Sequence, residues 1–263
     1  MGIKLSICIP TYNRANFLPD LLDSIVKQID DSNKDIIEIV ISDNASQDNT
    51  REVVESYRSR VSNLVYFRWD ENNGADRNFI KVVELAKGEY CWLMGSDDVV
   101  VNASISFILM QLNRNFDIFL FNRIETNIKL EPYNYNRWLK ISKNVSFDFN
   151  ETGEFIKYLK LSKSLGALFS YLSSIIIKKE MWDSVIYNED FIGTNYYHSY
   201  VILTAIKNRS VKLMYLDNHL VLNRQGNDSF LDKGFTNRVL IDLKGYHKLS
   251  LIFKDNRDIV NCF

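Results

Sequence analysis

Two adjacent carboxylates, Asp97 and Asp98, end the stretch YCWLMGSDD that runs from Tyr90 to Asp98. The apolar run before them reads as a buried strand of a parallel sheet, so the acids fall just beyond its carboxyl end. Open α/β sheets place ligands at that edge. Neighbouring negative charges repel, so folding alone does not favour the pair. A hard divalent cation would relieve the repulsion, and a cation held by one or two carboxylates can also hold substrate phosphates. The plain alternative is a polar turn in which an Asp caps the next helix.

Three upstream loops offer matching chemistry. The first carries Thr11, Tyr12, Asn13 and Arg14, the second Asp43 and Asn44, the third Asn73, Gly74 and Arg77. An aromatic ring beside an acid and amides suits a nucleobase, while an arginine and a cation suit a diphosphate. Gly74 would let the backbone approach a ligand closely. No Gly-x-Gly-x-x-Gly follows the first apolar run and no Gly-Lys-Ser/Thr is present, which disfavours a dinucleotide cofactor and an ATPase.

Positioning these loops requires strands that alternate with helices. The pattern predicts strands over Leu5–Ile9, Ile36–Ile41, Leu64–Trp69 and Tyr90–Met94, with Pro10 ending the first because proline supplies no ladder donor. Between them it predicts helices over Phe17–Gln28 behind an Asn16 cap, Thr50–Arg60 behind Asp48 or Asn49, and Asn78–Ala86 closed by Gly88. Four such alternations argue for a parallel sheet covered on both faces. Beyond Val101 the reading loosens. Helices are expected over Ser104–Leu112, Glu154–Leu161, Tyr200–Lys207 and Asn237–Leu249. Strands are expected over Ile118–Asn122, Leu172–Ile177, Val211–Leu216 and Leu220–Asn223. Residues 123–149 show no clear period.

Composition narrows the class. The chain has 263 residues, 46% hydrophobic and 25% charged, an ordinary globular balance. With 32 basic against 33 acidic residues, no global field points to nucleic acid. Cys8, Cys91 and Cys262 lack metal-like spacing, and the first two sit inside apolar strands, as small core residues in a reducing compartment would. The N-terminus does not read as a signal peptide, and the apolar stretch Ala167–Ile177 is too short to span a bilayer. The expectation is a soluble cytoplasmic protein, with at most peripheral contact at the inner face of the cytoplasmic membrane.

Four segments, PTYNR at Pro10–Arg14, SDNASQDNT at Ser42–Thr50, NNGADRN at Asn72–Asn78 and GSDD at Gly95–Asp98, together resemble glycosyltransferase family 2 in order and spacing. The resemblance implies a GT-A fold: an αβα sandwich with a mostly parallel central sheet, which binds a nucleotide sugar and uses Mn2+ or Mg2+. It implies a nucleotide-sugar-binding half over 1–122 and a more irregular acceptor-side half over 123–263 that ends in a helix. By position, Pro10, Thr11, Tyr12 and Arg14 would flank the nucleoside, and Asp43 would bond the base edge. Asn73 and Arg77 would face the donor's phosphate or sugar. Asp98 would be the catalytic metal ligand, and Asp97 would serve ribose or donor sugar. Tyr12 could instead merely pack, and Arg77 could pair with Glu71 or Asp76.

The second half departs from the family pattern. Many members carry a Glu-Asp pair before a helix, where the acid is the general base; here His198-Ser199 stands in that register. His198 has a suitable unperturbed pKa for taking a proton near neutrality. Glu189-Asp190 is a literal match that sits too early. A retaining enzyme of this fold could operate without the acid. Asn223–Ser229 resembles a loop that closes over the donor, from which Arg224 would reach the pyrophosphate or acceptor. Within the family the chain looks similar to abequosyltransferases of bacterial O-antigen assembly, which transfer a 3,6-dideoxyhexose from a CDP-sugar to a lipid-linked saccharide. The resemblance leaves CDP-, UDP-, GDP- and dTDP-linked donors open. Tyr133–Lys143 and the C-terminal helix could meet the membrane face. Two other classes stay open: a sugar-1-phosphate nucleotidyltransferase, which has a related sheet and also uses a metal but would want a Gly-rich first loop, and a non-catalytic sugar-nucleotide-binding module, which would need no base or acceptor pocket.

Overall fold

A computed structural model describes residues 2–227 and 235–262. Its first part alternates β1 (Leu5–Thr11), α1 (Leu18–Val26), β2 (Ile37–Asp43), α2 (Thr50–Ser56), β3 (Leu64–Arg68), α3 (Ala75–Leu85) and β4 (Tyr90–Leu93). The four strands lie parallel in the order β3-β2-β1-β4. β1, β2 and β4 are buried along their whole length, which is why they read as unbroken apolar runs. Odd positions of β1 such as Ile7 and Ile9 pack on α1, whereas Cys8 faces the opposite layer with Val82 and Val83 of α3. On α1, Leu18, Leu21, Leu22 and Ile25 are fully buried. At about 1.5–3 kcal/mol each, they hold that helix on the sheet far more firmly than its propensity could.

β1 runs two residues past the expected stop at Ile9. Cys8 O accepts from Met94 N, so even positions of β1 face β4. Pairing with β4 stops at Cys8–Leu93, because the next bond of that ladder would need an N–H from Pro10; β1 continues to Thr11 through its other edge, paired with β2.

The remaining elements are β5 (Val99–Val100), α4 (Ser104–Leu112), β6 (Ile118–Thr126), β7 (Pro132–Asn136), β8 (Val145–Asp148), α5 (Thr152–Leu161), β9 (Ile175–Lys178), α6 (Lys179–Asp183), α7 (Tyr197–Asn208), β10 (Lys212–Arg224), α8 (Phe235–Ser250) and α9 (Arg257–Val260). They extend one ten-stranded sheet in the order β3-β2-β1-β4-β9-β6-β10-β5, with β7 on β6 and β8 on β10. β9 is antiparallel to both β4 and β6, so β6 runs parallel to β4 and its carboxyl end reaches the edge that bears the acids. The 122/123 boundary falls inside β6. The expected pair of strands at Val211–Leu216 and Leu220–Asn223 is one strand, β10, with register shifts around His219. Cys8 and Cys91 are free and buried. No helix among the described residues is long and apolar enough to cross a membrane.

Candidate active site

The acids sit in the turn between β4 and β5, where Asp98 N donates to Gly95 O at 3.2 Å. They divide sharply. Asp98 is 2% exposed. Its Oδ2 accepts from Tyr171 Oη at 2.7 Å and from Ser173 Oγ. Its Oδ1 accepts from Asn223 Nδ2 at 3.2 Å and Arg224 N at 3.3 Å. Burial, and then the Asp97 charge, push the Asp98 carboxyl up to about 7. Asp97 is half-buried and bonded at Oδ2 by Asn227 Nδ2 at 2.5 Å. Asp98, the expected metal ligand, is thus held on both oxygens by the protein itself. Its lone pairs are taken by protein donors, and Asp97 is the acid with an oxygen to offer.

Both acids line a cavity of about 190 Å³ with Phe79, Tyr171, Asn195 and His198. A larger cavity of about 430 Å³ lies at the far end of α7, by Phe149, Arg209 and Phe253, and holds none of the expected site residues. We place the chemistry at the smaller one because the acids are there.

The nucleotide-side loops are stitched to one another. Asn44 N donates to Thr11 O at 2.9 Å, Asn13 N to Ser46 Oγ at 2.8 Å, and Ala15 N to Asp48 Oδ2 at 3.0 Å. Asn44 Oδ1 accepts from Asn73 N at 2.9 Å. Tyr12 is 40% exposed, which leaves its ring open to a ligand. Pro10 and Thr11 are buried in β1. Arg14 donates to Asn227 O at 3.2 Å, next to the bond that Asn227 makes to Asp97.

Three expected roles change. Asp43 is wholly buried; it accepts from Ser46 N at 2.9 Å and Tyr66 Oη at 2.7 Å, with Arg68 Nε 3.6 Å away. It braces the second loop and does not face a base edge. Arg224 is 6% exposed and spends its guanidinium on the protein. It donates to Asp97 O at 3.0 Å, Ile128 O at 2.7 Å and Asp20 Oδ2 at 2.6 Å, over the Phe17 ring. It therefore straps the acid turn and does not reach out to a pyrophosphate. Arg77 pairs across the surface with Glu189 at 2.6 Å, not with Glu71 or Asp76, and this pairing also occupies the Glu-Asp alternative. Of the loop 223–229, residues 228 and 229 lie outside the described residues.

His198 opens α7 and is 1% exposed. Its Nε2 lies 3.4 Å from Ser170 O, and its Nδ1 is buried with no partner among the described residues. Burial lowers its pKa to about 4, so the ring is neutral near pH 7. The segment before it is pinned by Asp76, which accepts from Asn195 N at 2.9 Å and Tyr197 N at 3.1 Å. Burial raises the Asp76 pKa. Sequence reasoning assigned no site role to Asp76, Tyr171, Ser173 or Asn223. Asp76, inside NNGADRN, and Asn223, beside Arg224, lay in motifs already singled out; Tyr171 and Ser173 did not.

A divalent cation fits this site in one way. Among the described residues no group of three His, Cys, Asp or Glu side chains could hold an ion alone. Asp97 supplies a single half-buried carboxylate, which suits an ion whose remaining ligands are substrate phosphates and water.

Residues 6–178 match the model of "Glycosyl transferase family 2". Abequosyltransferase RfbV of Salmonella typhimurium is 41% identical over 94% of this chain and 74% of its own length. The GalNAc(5)-diNAcBac-PP-undecaprenol beta-1,3-glucosyltransferase of Campylobacter jejuni is 25% identical over 72% of this chain and 56% of its own. Among solved structures, Staphylococcus aureus TarS in complex with UDP-GlcNAc superposes with a TM-score of 0.67 at 18% identity, over 95% of this chain and 70% of that one. The mannosyltransferase PcManGT of Pyrobaculum calidifontis, in complex with GDP-Man and Mn2+, gives 0.65 at 14% identity, over 98% and 68%. The sheet, the acid turn at its edge and the family match agree: the chain belongs to glycosyltransferase family 2 and is a glycosyltransferase of GT-A fold.

Proposed function

We propose that the chain transfers a 3,6-dideoxyhexose from a CDP-linked donor to a lipid-linked saccharide in surface-polysaccharide synthesis. The observation that carries this reading is the 41% identity to an abequosyltransferase across nearly the whole chain. The cavity beside the acids supports it, because Phe79, Tyr171, Leu172 and Tyr196 give it largely apolar walls that suit a sugar short of hydroxyls.

Asp97 would hold the cation, Mn2+ or Mg2+, together with the donor diphosphate. Bound there, such an ion neutralises the charge that develops on the departing nucleotide. The chain's own groups do the rest. Tyr12 offers a face for the base. Asp98, bonded on both oxygens, fixes the turn so that Asp97 projects into the cavity. His198 lines the cavity, where its neutral ring would stand beside an acceptor hydroxyl. It orients that hydroxyl more readily than it keeps the proton: holding one at pH 7 costs about 4 kcal/mol from a pKa near 4. Exposed Val239, Leu240 and Leu243 on α8 support peripheral contact with a membrane that carries the acceptor.

The test is a thermal-shift screen of CDP-, UDP-, GDP- and dTDP-sugars with and without Mn2+. CDP-abequose at 100 times its Kd should stabilise the protein by about 2.7 kcal/mol, and only with the cation. Stabilisation by a UDP- or GDP-sugar alone would overturn the donor assignment.

A further inference from the structure

β6 changes partners partway along. Its first half pairs β9 up to Leu120; from Arg123 to Thr126 it pairs β7 instead. On its other side β10 runs parallel, with Asn223 in register with Glu125. In-register residues on adjacent strands project to the same face of a sheet. Glu125 therefore stands beside Asn223, the residue that lines the acid cavity and donates to Asp98.

Around Glu125 lies a half-buried polar cluster that the reaction described above does not use. Its Oε1 accepts from Arg123 Nη2 at 2.8 Å and Asn136 Nδ2 at 3.0 Å, and its Oε2 from Asn134 Nδ2 at 2.8 Å. The Arg123 and Glu125 side chains are 18% and 16% exposed. The guanidinium lies 4.6 Å from the Tyr171 ring centroid and 4.7 Å from that of Trp138. Arg123 Nε is buried with no partner among the described residues. Tyr171 also lines the cavity, and its hydroxyl bonds Asp98. Cluster and cavity thus share a wall built from Tyr171 and Asn223.

A β6–β7 hairpin already holds its own ladder and does not need a half-buried ion pair, whose desolvation offsets much of its attraction. The chemistry instead matches a sugar. Each hydroxyl both donates and accepts, and the cluster offers a carboxylate acceptor beside amide and guanidinium donors. Although burial raises the Glu125 pKa, the Asn134, Arg123 and Asn136 donors outweigh it and hold the group below its usual value, so it serves as an acceptor and not as a proton carrier.

We propose that Arg123, Glu125 and Asn136 form the acceptor-sugar subsite, holding adjacent hydroxyls of a neutral pyranose while a further hydroxyl is presented to the cavity past Tyr171. The proposal rests on the glycosyl-transfer reading above, and the test separates the two. With CDP-abequose and Mn2+, two rates are measured on one preparation: release of CDP to water, which needs no acceptor, and transfer onto octyl mannoside, octyl rhamnoside and octyl galactoside. Glu125→Gln and Asn136→Ala should raise the acceptor KM by about 10-fold or more, the scale of a lost charge-assisted hydrogen bond, and leave water hydrolysis and donor KM within about twofold. Equal losses in both rates, or an unchanged acceptor KM, would overturn the subsite. So would a wild type that hydrolyses the donor yet glycosylates none of the three glycosides. A wild type inert in both assays would instead bring down the donor reading, and the subsite with it.

Discussion

Arg224→Lys separates a strap from a substrate ligand. The side chain is 5% exposed and makes three hydrogen bonds with a fork geometry that an ammonium cannot reproduce. Lysine can keep one partner, and Asp20, half exposed, is the easiest to reach. Its ion pair is worth about 1 kcal/mol or less in that setting. The carbonyl of Asp97, in a half-buried turn, then loses a charged donor at about 1–3 kcal/mol, while that of Ile128, 43% exposed, can turn to water at about 1 kcal/mol or less. Part of the stacking on Phe17 survives. The sum is a destabilisation of about 1–4 kcal/mol, which lowers Tm by about 2–15 °C for a chain of this size. Because Asp97 O is one of the released carbonyls, kcat should fall while donor KM changes little. The assays are thermal melts and steady-state kinetics on the same preparations. A Tm within about 1 °C of wild type, with a donor KM raised tenfold, would show that Arg224 reaches the diphosphate and would refute the strap.

Asp97→Asn should abolish cation-dependent donor turnover and move Tm by less than about 2 °C, since the acid is half-buried and an amide can still meet Asn227; Mn2+ titration by calorimetry checks that binding is lost. His198 carries a pH signature. With a folded pKa near 4 against an unfolded 6.5, its neutral burial contributes stability above pH 6.5 that is lost as pH falls through 4, about 3 kcal/mol in all. The urea-midpoint difference between wild type and His198→Asn should therefore shrink across that window, and a flat difference would show that the ring is not buried neutral. Gly88→Ala places a Cβ 2.7 Å from the backbone N of Ser6 and 2.5 Å from its Oγ. That overpacking should cost about 1–3 kcal/mol in a urea melt while leaving donor KM unchanged.

The first hundred residues were legible because burial and chemistry there write on different residues. β1, β2 and β4 are covered on both faces and read as apolar runs, and the loops between them carry the polar motifs. β7 was not legible, since PYNYN is an exposed strand held by pairing with β6 and buries no apolar face. β10 read as two strands because Asp217 and Asn218 interrupt its apolar pattern where its register shifts. The motifs named both acids but could not say which one is covered. That depends on Tyr171 and Ser173, more than seventy residues downstream and without a motif of their own. The same holds for Arg224 and Asp43: residue type announces a charge, and only the tertiary partners decide whether that charge faces a ligand or the protein.

The acid turn therefore cannot be the property of one half of the chain. Asp97 and Asp98 precede residue 122, yet among the described residues the four donors to the Asp98 carboxylate come from residues 171–224. Arg224 then ties the Asp97 carbonyl back to α1 through Asp20. A buried carboxyl with its pKa pushed up to about 7 is tolerated only while those donors stay in place, since stripping them would leave the charge uncompensated. The open acid is thus presented by a closed one, and the closed one is assembled by the segments that also wall the cavity. A change at Tyr171, Ser173 or Asn223 should reach the chemistry through the position of Asp97, without any of those residues touching a cation.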